Sequence, residues 1–151
     1  MSREDYKTML VPYDGSVFSR RALDVAKDLA KSFGAVLQIV TVIDVSRVPP
    51  PGIIRSGERK ALEKIVDSTR QSVREAMEKI ESECLREGIK TRILVAEGST
   101  SAELLKAIKE SKADLVIIGS GGLSGLSKFK ALGSVSRKIS EISDCPVMII
   151  R

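Results

Sequence analysis

The sequence of 151 residues contains no histidine, no tryptophan and no asparagine. The lack of histidine excludes nucleophile systems of the Ser-His-Asp and Cys-His types, and it also excludes histidine general bases and imidazole metal sites. Any catalysis would have to use carboxylates, lysine, or a metal that arrives with a ligand. Several large enzyme classes are therefore excluded before any motif is considered.

Cysteine and aromatic residues are scarce as well. The two cysteines, Cys84 and Cys145, match no metal-ligand spacing and are too few for a disulfide scaffold, so we expect reduced thiols in or near the core. Aromatic residues make up 3% of the chain, which leaves few stacking platforms for bases, and the net charge of +5 is modest and interspersed. Both features argue against a nucleic-acid-binding protein.

Long apolar runs are also missing. No stretch approaches the roughly 18 apolar residues of a membrane-spanning helix, and the first ten residues are charged rather than signal-like. We therefore expect a cytoplasmic protein without a membrane partner.

Short apolar runs and helical patterns alternate along the whole chain. The one irregular segment, from Asp44 to Gly57, contains Pro49-Pro50-Pro51-Gly52 and is predicted to be a surface loop or flap, with a plain connector as the alternative. A capping box from Thr100 to Glu103 is predicted to open the third helix. The predicted strands are Thr8–Tyr13, Ala35–Ile43, Thr91–Ala96, Asp114–Ile118 and Pro146–Ile150, and the predicted helices are Ala22–Phe33, Ala61–Leu85, Thr100–Ser111 and Ser134–Ile142.

Five strands joined by four helices predict an α/β fold with one domain over residues 1–151. We expect a doubly wound parallel sheet in the order 3-2-1-4-5 with helices on both faces. The winding direction then reverses between strands 1 and 4, and open parallel sheets bind ligands at the carboxyl ends of the strands at such a switch point. The sequence therefore places a site beside Pro12-Tyr13-Asp14 and the glycine loop that follows strand 4.

This glycine loop, in the sequence LVIIGSGGLSGLSKFKALGS from Leu115 to Ser134, has the composition of a phosphate site. Backbone N–H groups of this loop are predicted to bind phosphates. Lys128 and Lys130 either approach the phosphate oxygens or stay in solvent. For the whole segment, the alternative is a flexible loop without a ligand. No Walker A string is present, and Ser124 replaces the third glycine of a dinucleotide fingerprint. The residues predicted to donate these N–H groups are Gly119, Gly122, Gly133 and Ser134.

The other end of the predicted site would bind the nucleoside. Asp14, an acceptor when ionised, suits a ribose hydroxyl, an adenine amino group or the water shell of a metal. The end of strand 2 near Val42 would offer a base an apolar wall.

Four segments of the chain resemble the universal stress protein family: MLVPYDGSVFSRRALDVA, VTVIDV, EGSTSAELLKAI and IIGSGGLSGLSKFKALGSVSRKISEISDCPVMIIR. The resemblance implies a Rossmann-like, adenine nucleotide α-hydrolase-like fold, ATP with Mg²⁺ as ligand, and a homodimer formed through the final strand, Val147 to Ile150. Ten residues separate Gly122 from Gly133, one more than in the family's ATP-binding pattern. The nucleotide-binding residues implied by the resemblance are Pro12, Asp14, Val42, Gly119, Gly122, Gly133, Ser134 and Val135.

Three functions are compatible with these features. The first is a small ATP-binding stress or signalling module with at most slow hydrolysis, because Asp14 is the only evident general base. The second is an ATP-independent dimeric adaptor, which the longer loop favours. The third is an ATP-dependent ligase of related architecture, for which the chain shows neither extra catalytic motifs nor extra length. We therefore expect a binding module rather than an enzyme.

Overall fold

The computed structural model describes residues 5–122 and 132–151, and within these ranges strands and helices alternate as predicted. The strands are β1 (Thr8–Pro12), β2 (Val36–Asp44), β3 (Thr91–Gly98), β4 (Leu115–Gly119) and β5 (Val147–Ile150). The helices are α1 (Val17–Phe33), α2 (Ser56–Arg86), α3 (Thr100–Ser111) and α4 (Ser134–Ile142).

The five strands form one sheet in the order β3-β2-β1-β4-β5, and every neighbouring pair is parallel. The predicted fold class and strand order are therefore confirmed. All five residues of β4 are buried, as expected for a parallel strand that is covered on both faces.

Helices cover both faces of the sheet and form two separate cores. Side chains of β1 alternate between them, because successive strand residues point to opposite faces. Met9 packs in the core that contains residues of α1 and α2, whereas Leu10 packs in the core that contains residues of α3 and α4. Both are fully buried. The buried Cys84 and the partly buried Cys145 are free thiols, as expected.

Two helix starts differ from the prediction. Helix α1 begins at Val17 rather than Ala22, because Ser16 caps it by accepting the N–H of Ser19 at 3.1 Å. The predicted capping box at Thr100 is wrong: Ser99 is the N-cap of α3, and no side-chain cap bond forms there. Thr100 is the first helical residue.

Helix α2 is longer than predicted and projects beyond the sheet. Its 31 residues span about 46 Å, whereas the 8 residues of β3 span about 26 Å. The predicted apolar stripe is fully buried only in the second half, at Met77 and Cys84, whereas in the first half Leu62 and Val66 are half-buried and Ile65 is 63% exposed. The first half of α2 thus lies past the carboxyl edge of the sheet.

An ion-pair network holds this projecting half. The guanidinium of Arg70 donates to both carboxylate oxygens of Glu97 at the end of β3, and to Asp67 at 2.7 Å.

Among residues 5–122 and 132–151, no helix is both long and apolar enough to cross a membrane.

Candidate functional site

A cleft of about 400 Å³ opens at the carboxyl ends of β1, β2 and β4. It lies where the winding of the sheet reverses, as the strand order predicted. Its walls come from the β1–α1 turn, the end of β2, the start of α3, and the β4 and α4 ends of the glycine loop.

All eight residues predicted to bind nucleotide line this cleft. They are Pro12, Asp14, Val42, Gly119, Gly122, Gly133, Ser134 and Val135. The fold therefore brings four distant parts of the chain to one place, although their role in binding stays a prediction. Lys128 and Lys130 lie outside the described residues.

The start of α4 is the part of the cleft best suited to an anion. Gly133 is its N-cap, and glycine has no side chain that could accept the first N–H groups of the helix. The N–H groups at Ser134, Val135 and Ser136 are those that a helix start presents to a ligand, with partial positive charge.

Two hydrogen bonds fix this helix start to the end of β4. The Gly133 N–H donates to the carbonyl of Ser120 at 2.8 Å, and the buried Ser136 hydroxyl donates to the carbonyl of Gly119 at 2.6 Å. We expected the Gly133 N–H itself to contact a phosphate, but it is already paired within the protein. Gly133 would therefore favour a ligand at the start of α4 because it has no side chain, and not because its own N–H group binds that ligand.

The start of α1, which also borders the cleft, is closed by its own side chains. Ser16 accepts the Ser19 N–H, and the Ser19 hydroxyl donates to the Ser16 carbonyl at 3.1 Å. Ser19 also accepts the Asp14 N–H at 3.3 Å. A side chain thus caps the start of α1, whereas the starts of α3 and α4, which also border the cleft, have no side-chain cap.

Asp14 is oriented by this same turn. One carboxylate oxygen, Oδ1, accepts the Ser16 N–H at 2.9 Å. The other, Oδ2, faces Gly122 so closely that a Cβ atom on Gly122 would lie 3.1 Å from it. Gly122 thus leaves room for the carboxylate on the opposite wall, a contact that the sequence did not indicate.

Gly119 has a structural reason to be glycine. A Cβ atom at this buried position would lie 2.7 Å from the carbonyl carbon of Phe18 and 2.8 Å from its carbonyl oxygen. Real Cβ atoms essentially never come that close to another atom. The first turn of α1 therefore packs directly on the end of β4, and Gly119 allows that approach.

The sequence did not indicate several residues of the cleft wall, among them Asp44, Arg47 and Thr100. Hydrogen bonds from the Ser46 hydroxyl and from the Ser46 N–H, at 3.0 Å, hold the pKa of Asp44 below its usual value, and the charge of Arg47 acts in the same direction. Asp44 ends β2, so its place at the carboxyl edge was the available signal.

The cleft changes in chemical character from one end to the other. Helix N–H groups lie at the α4 end, and apolar Val40, Val42 and Leu104 line the wall towards β2 and α3. The carboxylate of Asp44 lies on the cleft wall at the end of β2, whereas that of Asp14 faces Gly122 in the glycine loop. Among residues 5–122 and 132–151, no group of three potential metal-ligating His, Cys, Asp or Glu side chains is found. The arrangement suits a ligand with an anionic end and a flat, partly apolar end.

Comparison with known proteins identifies relatives along the whole of this fold. The model of the universal stress protein family matches residues 5–151. Universal stress protein YxiE of Bacillus subtilis is 35% identical over 150 residues, which are 97% of this chain and 99% of the relative.

Solved structures agree with this sequence comparison. Universal stress protein UspA from Lactobacillus plantarum superposes with a TM-score of 0.85 at 22% identity, over 97% of this chain and 98% of that chain. A universal stress protein crystallised in complex with cAMP has a TM-score of 0.68 at 25% identity, over 97% of each chain.

Proposed function

Because the chain belongs to the universal stress protein family, we propose that it is a small cytoplasmic stress or signalling module that binds ATP at the β1/β4 switch point. The proposal treats residues 1–151 as one nucleotide-binding domain. Binding, rather than turnover, is its function, and occupancy of the cleft alters contacts with partners.

One observation carries this proposal: eight residues predicted from separate parts of the sequence all line one cleft, and that cleft ends at an uncapped helix start. The phosphates would contact the N–H groups at the start of α4, with the Ser134 hydroxyl as a further donor. Of the other two helix starts beside the cleft, that of α1 is capped by Ser16 and that of α3 shares its wall with the Asp44 carboxylate, which would repel a phosphate.

The nucleoside would occupy the rest of the cleft. Val42 and Leu104 would give the base apolar contacts, and Asp14, which lies near Gly122, would accept a ribose hydroxyl. A volume of about 400 Å³ lies within the range of small-ligand pockets. The related universal stress protein that binds cAMP supports an adenine nucleotide as the ligand class.

Mg²⁺ would enter with the nucleotide. This ion commonly keeps several waters and takes one or two carboxylates in addition to substrate phosphates, so it does not need a site made of protein alone. Asp14 is the carboxylate that could face such an ion or its water shell. Hydrolysis would be slow at most, because among the described residues of the cleft wall only Asp14 and Asp44 could act as general bases.

We also propose a homodimer formed through β5. This strand is an edge of the sheet, it is only 4 residues long, and its Met148 side chain is 37% exposed. Pairing with the same strand of a second copy would satisfy the free edge. Light scattering tests this state, and a monomeric mass across micromolar concentrations would contradict it.

An ATP-independent dimeric adaptor is the second candidate. The additional residue between Gly122 and Gly133 favours it, because a longer loop could move the α4 start away from the phosphates. Hydrogen bonds of this kind are best near 2.9 Å, so a small shift weakens several at once.

The Gly133→Ser variant tests the proposal directly. Gly133 has φ −60° and ψ 155°, which any residue adopts, and a Cβ atom would lie no closer than 3.5 Å to its neighbours. Serine is a good N-cap, so its hydroxyl should accept the N–H groups of α4 that a phosphate needs. We expect stability within about 0.5 kcal/mol of the parent, or slightly higher, and ATP affinity about tenfold weaker or worse.

Calorimetric titration of ATP with Mg²⁺ into nucleotide-free protein measures this effect. Gly57→Ser serves as the control, because this glycine lies in α2 with open space around it and does not line the cleft. Equal affinity in parent and Gly133→Ser would contradict phosphate binding at α4. No heat with any of the three proteins, all folded by circular dichroism, would support the adaptor.

A further inference from the structure

A second cavity lies beside the cleft and has no role in the proposed function. This groove, of about 480 Å³, lies between the loop that follows β2 and the projecting half of α2. The loop contributes Val45, Val48, Pro49–Pro51 and Ile54, and the helix contributes Leu62 and Val66. We call residues 45–54 the strap.

The strap and the residue before it face both cavities. Asp44 and Arg47 line the cleft, whereas Val45 and Val48 line the groove. The prolines of the strap line the groove as well, so the predicted flap packs towards α2 rather than over the cleft. A displacement of the strap would therefore change the shape of both cavities together.

The two walls of the groove are held differently. Arg70 ties α2 to Glu97 of β3, and it also pairs with Asp67 of the same helix. Within the described part of the chain, the hydrogen bonds of the strap are local ones, such as the Val48 N–H to Val45 carbonyl bond at 3.0 Å and the Ile53 N–H to Pro50 carbonyl bond at 3.3 Å. Three prolines supply no N–H groups. Moving the strap therefore requires less free energy than moving α2.

Arg47 is the part of the strap that a nucleotide would meet. It is the only cation on the cleft wall among the described residues, and two carboxylates, Asp14 and Asp44, share that wall with it. Guanidinium groups make charge-assisted hydrogen bonds to phosphate and other anionic oxygens. An anionic ligand in the cleft therefore has one charged partner on the strap.

We propose that Arg47 is a nucleotide-contacting residue and that, through it, nucleotide binding in the cleft repositions the strap and reshapes the groove against α2. This inference rests on the proposed function. It gives occupancy of the cleft a structural consequence on a different surface of the molecule, which is what a signalling module requires.

The absence of tryptophan from the chain makes the test specific. Ile54→Trp places one fluorophore in the groove, on the side of the strap away from the cleft. Calorimetry with ATP and Mg²⁺ gives the affinity, and tryptophan emission reports the groove. We expect emission to change on titration and to saturate with the calorimetric Kd.

Arg47→Gln in the reporter protein should weaken ATP binding only about two- to fivefold, as is usual for an exposed charge pair, and should abolish the emission change at saturation. Arg55→Gln is the matched control, since it removes the same charge from a residue that lines neither cavity. It should preserve both the affinity and the emission change.

Each other outcome contradicts a particular step. Saturable binding with unchanged emission would overturn the coupling and leave ATP binding intact. An emission change that survives in Arg47→Gln would overturn the role of Arg47. Absence of binding heat would overturn the coupling together with the proposed function. If the reporter protein does not fold, hydrogen exchange of the strap amides can be measured in the unmodified chain with and without ATP. Unchanged exchange rates in the presence of bound ATP would likewise overturn the coupling.

Discussion

Replacing Gly119 by alanine tests whether this glycine serves the fold or the ligand. Its Cβ atom would lie 2.7 Å from the carbonyl carbon of Phe18, whereas ordinary contact begins at 3.4 Å. The gap between β4 and α1 would have to widen by the difference, 3.4 − 2.7 = 0.7 Å. The atoms in the way belong mostly to backbone, so a change of side-chain rotamer cannot relieve the clash.

The expected cost follows from the type of obstacle. Overpacking a buried site typically costs about 1–3 kcal/mol, and we expect Gly119→Ala in the upper part of that range. The first turn of α1 is held by the Ser16 cap and packs on the sheet, so it cannot move away freely. We therefore expect a clear decrease in the urea midpoint without a change in the m-value.

Urea unfolding followed by circular dichroism measures this difference. Gly57→Ala is the control: its Cβ atom would meet nothing within 4 Å, and alanine favours a helix, so stability should stay equal or rise by up to about 1 kcal/mol. A midpoint for Gly119→Ala equal to that of the parent would refute the packing argument. Lost ATP affinity at unchanged stability would assign Gly119 to the ligand instead.

Two further predictions concern the supports of the site. Ser136→Ala removes the buried hydroxyl that donates to the Gly119 carbonyl, and it should lower the free energy of unfolding in urea by about 1–3 kcal/mol. Replacing the exposed Ser140 by alanine should change that free energy by less than about 0.5 kcal/mol. Equal effects of the two substitutions would refute the contribution of burial. Arg70→Gln should lower the urea midpoint at neutral pH, because the hydrogen bond from Arg70 holds the pKa of Glu97 below 4.5. An acid with a lowered pKa stabilises the folded state above its unfolded pKa, and it loses that effect as the pH falls through the folded pKa. The urea midpoints of parent and variant should therefore converge well below pH 4.5. A difference between the midpoints that stays constant with pH would contradict the ion pair.

Much of the site followed from patterns that are local in the sequence. Apolar runs and helical spacing predicted the alternating elements, and the rules for parallel sheets then allowed few strand orders. The position of the cleft followed from that order, since a doubly wound sheet reverses its winding at one place. Asp14 and the glycines at 119, 122 and 133 could therefore be assigned to one site without coordinates.

Other features depend on distances that no local pattern contains. Asp44, Arg47 and Thr100 join the cleft because β2 and α3 end at the same edge of the sheet, although Arg47 lies in a segment with no periodicity. The capping box at Thr100 was wrong, because a single residue of register decides which hydroxyl precedes the helix.

The sequence by itself determined the fold class, the strand order and the switch-point cleft, because hydrophobic periodicity and glycine chemistry act over a few residues, and the resemblance of four segments indicated the family. The tertiary structure decided what surrounds three glycines of the cleft: Gly119 allows the approach of α1, Gly122 faces the Asp14 carboxylate, and Gly133 is the N-cap of α4. It also decided that the prolines of the strap face α2 rather than the cleft. These facts depend on contacts between residues far apart in the chain, which form only when the sheet and its helices are assembled.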